Sequence, residues 1–164
     1  MSFWSRLFGT RGRTPIASGS EGPIRVEGTV QVFDPDALIG DPISGDLCVF
    51  AHYEAHMPSY AQRLMIAGGG GPMNLVAKSA QGTEFLLRDD SGVALIRPSA
   101  GADLLALHHE LLSRHGFEMQ AATLIVRAGD RVRVHGQVLR IIEGSPMRRE
   151  GHDLTIDAER VELI

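Results

Sequence analysis

A small, mainly β barrel carrying a single helix is the fold class the sequence predicts. Three observations lead there. Apolar and polar residues alternate in several short stretches, Gly, Pro and Asp turn signals separate those stretches, and only one stretch has helical spacing. Residues 24–33 give the first strand, with Ile24, Val26, Gly28, Val30 and Val32 facing one way and Arg25, Glu27, Thr29 and Gln31 the other. Asp34-Pro35-Asp36 and Gly40-Asp41-Pro42 mark a long connection. Residues 47–57 form the next strand. Leu47, Val49, Ala51, Tyr53, Ala55 and Met57 line one face, and Cys48, Phe50, His52, Glu54 and His56 the other. A polar insertion at 58–72 ends in Gly68-Gly69-Gly70-Gly71-Pro72. A meander of strands at 74–79, 83–88 and 93–97 follows, turning at Gln81-Gly82 and at Asp89-Asp90-Ser91-Gly92. The helix spans 103–115: Leu104, Leu107, Leu111 and His115 share a stripe, Asp103 suits the N-cap and Gly116 the stop. A short strand at 123–126 precedes a long one at 131–142, entered through Gly129-Asp130, and an extended element at 154–164 ends the chain. A helix between the third and fourth strands is the layout of an OB-like Greek-key β-barrel, here with a glycine-rich insertion. Closure of the barrel also removes the edges that so many strands would expose.

The 164 residues suffice for one domain at 24–164, preceded by a flexible tail at 1–23. In the tail, Phe3, Trp4, Leu7 and Phe8 share one face of a short helix, with Arg6, Arg11 and Arg13 the only side-chain charges before residue 21. Such a segment fits weak contact with an anionic membrane or a partner's groove, and a docked or unstructured end is the plainer reading. The linker signals at 18–22 make the tail dispensable for stability. A net charge of -4 argues against nucleic acid as the main partner. One cysteine, Cys48, rules out an internal disulfide and a multi-cysteine zinc site. Arg6 interrupts the first apolar run before a signal peptide forms, which points to the cytoplasm.

Several segments together resemble a known family. Pro42-Ile43-Ser44-Gly45-Asp46-Leu47-Cys48-Val49 followed by Tyr53-Glu54 resembles the opening signature of the GIDE or MULAN domain, found beside a membrane in mitochondrial ubiquitin ligases and in many bacterial proteins. Phe85-Leu86-Leu87-Arg88-Asp89-Asp90-Ser91-Gly92 is similar to its hairpin. Val26-Glu27-Gly28-Thr29-Val30 is similar to its opening strand, and residues 128–136, Ala-Gly-Asp-Arg-Val-Arg-Val-His-Gly, to its closing one. The resemblance implies a non-catalytic interaction domain working near a membrane. The family's flanking transmembrane helices and zinc-binding RING have no counterpart in this sequence, so ligase activity is not implied.

Five features invite chemistry. His52, Glu54 and His56 alternate on one strand face. Neighbours there stand roughly 6.6 Å apart and the outer pair roughly 13 Å, too far for one zinc ion without a bend. They read instead as a solvated or insertion-covered face, with His52 and His56 as candidate partner-binding residues and no metal or other cofactor. Cys48 reads as a small buried hydrophobe, since no His-supported nucleophile pattern surrounds it. His108, His109 and His115 sit on the helix in surface or capping roles. Gly68–Gly71 lacks the Gly-Lys-Ser/Thr ending of a phosphate loop. Arg131, Arg133 and His135 alternate with Val132 and Val134, which gives a basic face that either pairs with acids such as Glu27 or meets an acidic partner. The sequence therefore reads as a protein-interaction or adaptor module, not an enzyme. An OB-type nucleic-acid or nucleotide binder is the alternative, at a disadvantage because few aromatic residues exist for base stacking.

Overall fold

The computed structural model describes residues 12–58, 73–99, 101–139 and 151–164. The strands are β1 (Gly22–Val32), β2 (Ile39–Gly40), β3 (Leu47–Cys48), β4 (Phe50–Pro58), β5 (Met73–Gly82), β6 (Phe85–Arg88), β7 (Val93–Pro98), β8 (Gln120–Val126), β9 (Arg131–Val138) and β10 (Leu154–Leu163). The helix α1 is Leu104–His115, between β7 and β8. The chain folds as two compact units rather than one continuous body. The first takes residues 1–35, 84–99 and 127–164, and the second takes 36–83 and 100–126.

The first unit is a closed barrel in the order β1-β6-β7-β10-β9. Numbered among themselves these strands run 1-2-3-5-4, the OB-like Greek-key order. All neighbours are antiparallel except β7 and β10, which pair in parallel from Leu154↔Ala94 to Ala158↔Pro98. Alternation decides the core. Val26, Val30, Phe85, Leu87, Ile96, Val132, Val134 and Ile156 are almost fully buried, each contributing about 1.5–3 kcal/mol of burial. Gly28 and Gly136 occupy inward positions of the same pattern. A Cβ would overlap the carbonyl oxygen of Arg88 at Gly28 and that of Asp157 at Gly136, so the neighbouring backbone takes the space a side chain would fill.

The second unit is an antiparallel sheet in the order β5-β4-β8, with the small β2–β3 hairpin and α1. Cys48, Ala51, Tyr53, Ala55 and Met57 pack with Leu104, Leu111 and Met119. Asp103 caps the helix as the sequence predicts: its Oδ1 accepts from the backbone N–H groups of Leu105 (3.0 Å) and Ala106 (3.1 Å).

Four expectations change. The strand predicted at 74–79 leaves the meander, because β5 pairs with β4 of the second unit and not with β6. The strand predicted at 47–57 is not a barrel strand. It breaks at Val49 into β3 and β4, both in the second unit, and the break reverses the facing of its first residues, so that Cys48 is buried and Leu47 exposed. The strand predicted at 123–126 is the end of β8 and also belongs to this second sheet. The tail expected at 1–23 is held to the barrel over part of its length. Ile16 is fully buried, within a 3-10 turn at Ile16–Ser18. Its N–H donates to Asp89 Oδ2 (3.0 Å), the Ala17 N–H donates to Ser91 Oγ (3.0 Å) and the Arg13 guanidinium lies 3.8 Å from Asp89.

Candidate interaction surfaces

Three of the sequence motifs noted above contain built turns. In Asp41-Pro42-Ile43-Ser44-Gly45, the buried Asp41 carboxylate accepts from the Ser44 N–H (2.9 Å) and hydroxyl (2.6 Å), and Gly45 takes φ +78°. Burial works against this charge, but bonds from Ser44, Thr123 and nearby backbone outweigh it and hold the carboxyl below its ordinary range. In the β6–β7 turn, Asp89 Oδ1 accepts from the Ser91 N–H (2.7 Å), the Ser91 hydroxyl (2.6 Å) and the Gly92 N–H (2.9 Å). Its pKa is likewise depressed: burial opposes the charge, and the bonds from Ser91, Ile16 and Gly92 prevail. Before β9, Gly129 takes φ +91° and Asp130 Oδ2 accepts from the Arg127 N–H at 2.8 Å. All three segments fix backbone direction.

Arg131, Arg133 and His135 share the outer face of β9, as the alternation requires. In register, β1 brings Glu27 beside Arg133 and Arg25 beside His135, while β10 brings Glu162 beside Arg133 and Arg160 beside His135. The Arg133 Nε donates to Glu27 Oε1 at 2.7 Å, and its Nη1 lies 3.7 Å from Glu162. Arg25 stands 3.7 Å from Glu27. The Arg133 bond, opposed by burial and helped by Arg25, lowers the pKa of Glu27. His135 is 3.7 Å from Glu162, but burial, with Arg25, Arg160 and Arg133 around it, pushes its pKa below 6.5. The charge on Arg133 is thus answered within the sheet, whereas Arg131 is exposed and has no ion-pair partner among the described residues.

His52 and His56 lie on the other unit, on the sheet face away from Tyr53. Glu54 sits between them, with Lys78 Nζ at 3.0 Å and His52 Nε2 at 3.3 Å, and both partners lower its pKa. His56 does not join them: a register shift against β5 falls between Ala55 and His56. No three His, Cys, Asp or Glu side chains converge on a common point among the described residues. In register, His52 is flanked by Ala80 and Leu124, and His56 by Leu75 and Gln120, so the face mixes imidazoles with exposed aliphatics.

Two further groups carried no clear sequence signal. Tyr53 is wholly buried and its hydroxyl meets His108 Nδ1 at 2.9 Å, the rings edge to face. Burial, then His109, lowers the pKa of His108 against the pull of Asp41, and burial raises that of Tyr53. In the tautomer protonated at Nε2 the tyrosine hydroxyl donates to Nδ1, and in the other tautomer Nδ1–H donates to the tyrosine oxygen. In the barrel, His152 is buried with Thr155 Oγ1 at 3.5 Å. A helical stripe announces that one of His108 and His109 faces inward, but not that a strand tyrosine waits there. The tail residues Phe3, Trp4, Arg6, Leu7 and Phe8, and the run Gly68–Gly71, lie outside the described residues.

Fold and surfaces together define a small β-barrel protein with one described helix and an added three-stranded sheet. Comparison with protein-family models, with curated proteins and with solved structures finds no match to the chain. No helix among the described residues is long and apolar enough to cross a membrane.

Proposed function

We propose that this chain is a non-catalytic protein-interaction module, in which the barrel is the scaffold and the second unit presents the docking surface. One observation carries this reading. Of the eight large apolar side chains exposed among the described residues, Ile43, Leu47, Leu75, Leu105, Phe117 and Leu124 belong to the second unit, and only Leu163 and Ile164 to the barrel. Phe117 is fully exposed, and concentrated apolar exposure marks interaction sites. The sequence resemblance to the GIDE domain supports the same reading, as does the internal pairing of Arg133, which shifts the docking role from the basic barrel face toward the second unit and its His52 and His56. Phe85, the one Phe, Tyr or Trp within the five barrel strands, is buried, which weighs against base stacking on those strands.

The test is retention of protein partners from native extract by the full chain, by L105D/F117D and by R131E. The proposal expects a defined set of proteins held by the full chain and R131E and lost by L105D/F117D. Equal retention by all three contradicts it. In a cytoplasmic setting the tail residues Phe3, Trp4, Leu7 and Phe8, with Arg6, would supply weak contact with anionic lipid. Co-sedimentation with anionic vesicles tests this contact, and the W4E/F8E variant is expected to stay in the supernatant.

A further inference from the structure

The two outer strands of the second sheet are treated very differently. Strand β5 is protected in the ways natural edges usually are: it carries Lys78, its pairing with β4 contains a register shift, and the backbone at Gly101 packs so close to the Ala80 carbonyl that a Cβ there would overlap it. Strand β8, Gln120-Ala121-Ala122-Thr123-Leu124-Ile125-Val126, has none of these devices. It contains no charge, proline or glycine, and its register with β4 is unbroken from Phe50↔Val126 to His56↔Gln120. Among the described residues, its backbone hydrogen bonds run only to β4 and to Val49 beside it. Since alternate residues of an antiparallel strand turn their N–H and C=O groups away from the partner, β8 offers a row of open donors and acceptors.

We infer that β8 pairs with β8 of a second copy of this chain, antiparallel about a two-fold axis at Thr123. The sequence of the strand is self-complementary about that residue. Ala121 then stands opposite Ile125 of the other copy, Ala122 opposite Leu124, and Gln120 opposite Val126, so that a small or polar side chain meets a bulky one on either side of the central Thr123–Thr123 pair. Sums of residue number are constant in such a pairing, so exposed Leu124 and Ala122 stay on one face and half-buried Ala121 and Ile125 on the other. No like charges meet, although the whole chain carries -4. The result is one six-stranded sheet, with Leu124 of each copy covering Ala122 of the other. A foreign strand would satisfy the open backbone equally well, but nothing else would account for the match of the strand to itself. The inference does not depend on the docking reading above, and self-association is measured without any other protein.

Light scattering on the size-fractionated full chain, over a dilution series, supplies the test. The full chain is expected at twice the mass of one chain, falling to one on dilution. Ala122 and Leu124 are both exposed, so A122K/L124K and A122E/L124E leave the fold intact, which circular dichroism checks. Each variant alone places like charges opposite one another and is expected as single chains. Their equimolar mixture is expected to regain the double mass. L124K alone, a milder change, is expected to weaken association at least tenfold. The proposal is overturned by a full chain that stays single at every concentration, by association that survives in both charged variants, or by a mixture that remains single.

Discussion

At Asp89 a single carboxylate ties a turn and the residues before β1 together. Its depressed pKa has a defined consequence: the stabilisation is present above the ordinary value of 3.8 and is lost as pH falls through the lower, folded value. Asp89→Asn is expected to cost about 1–3 kcal/mol at neutral pH, and its difference from the unaltered chain should shrink in urea titrations repeated near pH 3. Histidine acts at higher pH. The pKa values of His135 and His108 lie below 6.5, so the unfolded chain takes up protons first, and stability falls as pH drops from 6.5 toward the folded values. H135Q is expected to flatten that part of the stability profile, read by thermal melts between pH 7 and 5. Residue-level legibility was uneven. Gly92 ends the Asp-Asp-Ser-Gly turn between two apolar strands, a place that favours glycine through a positive φ or through exclusion of a side chain. Its φ is not positive, and the second condition holds, because a Cβ would overlap the Asp153 carboxylate. Replacing Gly136 with Ala forces the same kind of conflict against strand backbone. A loss of roughly 1–3 kcal/mol in denaturant unfolding is the expected result.

The segment at 12–19 shows what local pattern conceals at the scale of elements. Linker signals at 18–22 set the tail apart in the sequence, yet one apolar residue just before them, Ile16, is fully buried, its Cγ2 next to Gly92. Composition reports average solvation, whereas a single fully buried isoleucine is worth several tenths of a small domain's stability. Removal of residues 1–11 is therefore expected to leave the melting temperature unchanged. Removal of 1–19, or Ile16→Ala, should lower stability by about 2–4 kcal/mol in calorimetry or denaturant titration. Strand 47–57 teaches the complementary lesson. Its alternation correctly gave a half-buried strand, with Tyr53, Ala55 and Met57 inward and His52, Glu54 and His56 outward. Alternation says nothing about which sheet a strand joins, and the bend at Val49 that reverses Leu47 and Cys48 leaves no periodic trace.

The strand sequence of the whole molecule follows a simple rule. Five strands close a barrel in the order that one helix between the third and fourth strands had suggested, while two of the connections grow into a second unit. The barrel was legible because its strands alternate and its turns carry Asp, Ser and Gly at fixed places. The second unit was not, because its members are separated by a barrel hairpin in the chain and only long-range pairing joins β4 to β8. The segments that resemble a family build both turns and barrel strands (residues 26–30 lie in β1, 85–88 in β6 and 131–136 in β9), and the exposed apolar residues that carry the functional proposal lie elsewhere, apart from Ile43 and Leu47. A photo-reactive amino acid placed singly at Leu105, Phe117 and Leu75, and at Arg88 and Arg97 on the barrel as controls, tests the proposal most directly. After irradiation in cells, the proposal predicts covalent adducts to other proteins from the three second-unit positions and few or none from the two barrel positions. Adducts confined to the barrel positions, or absent from all five, would contradict it.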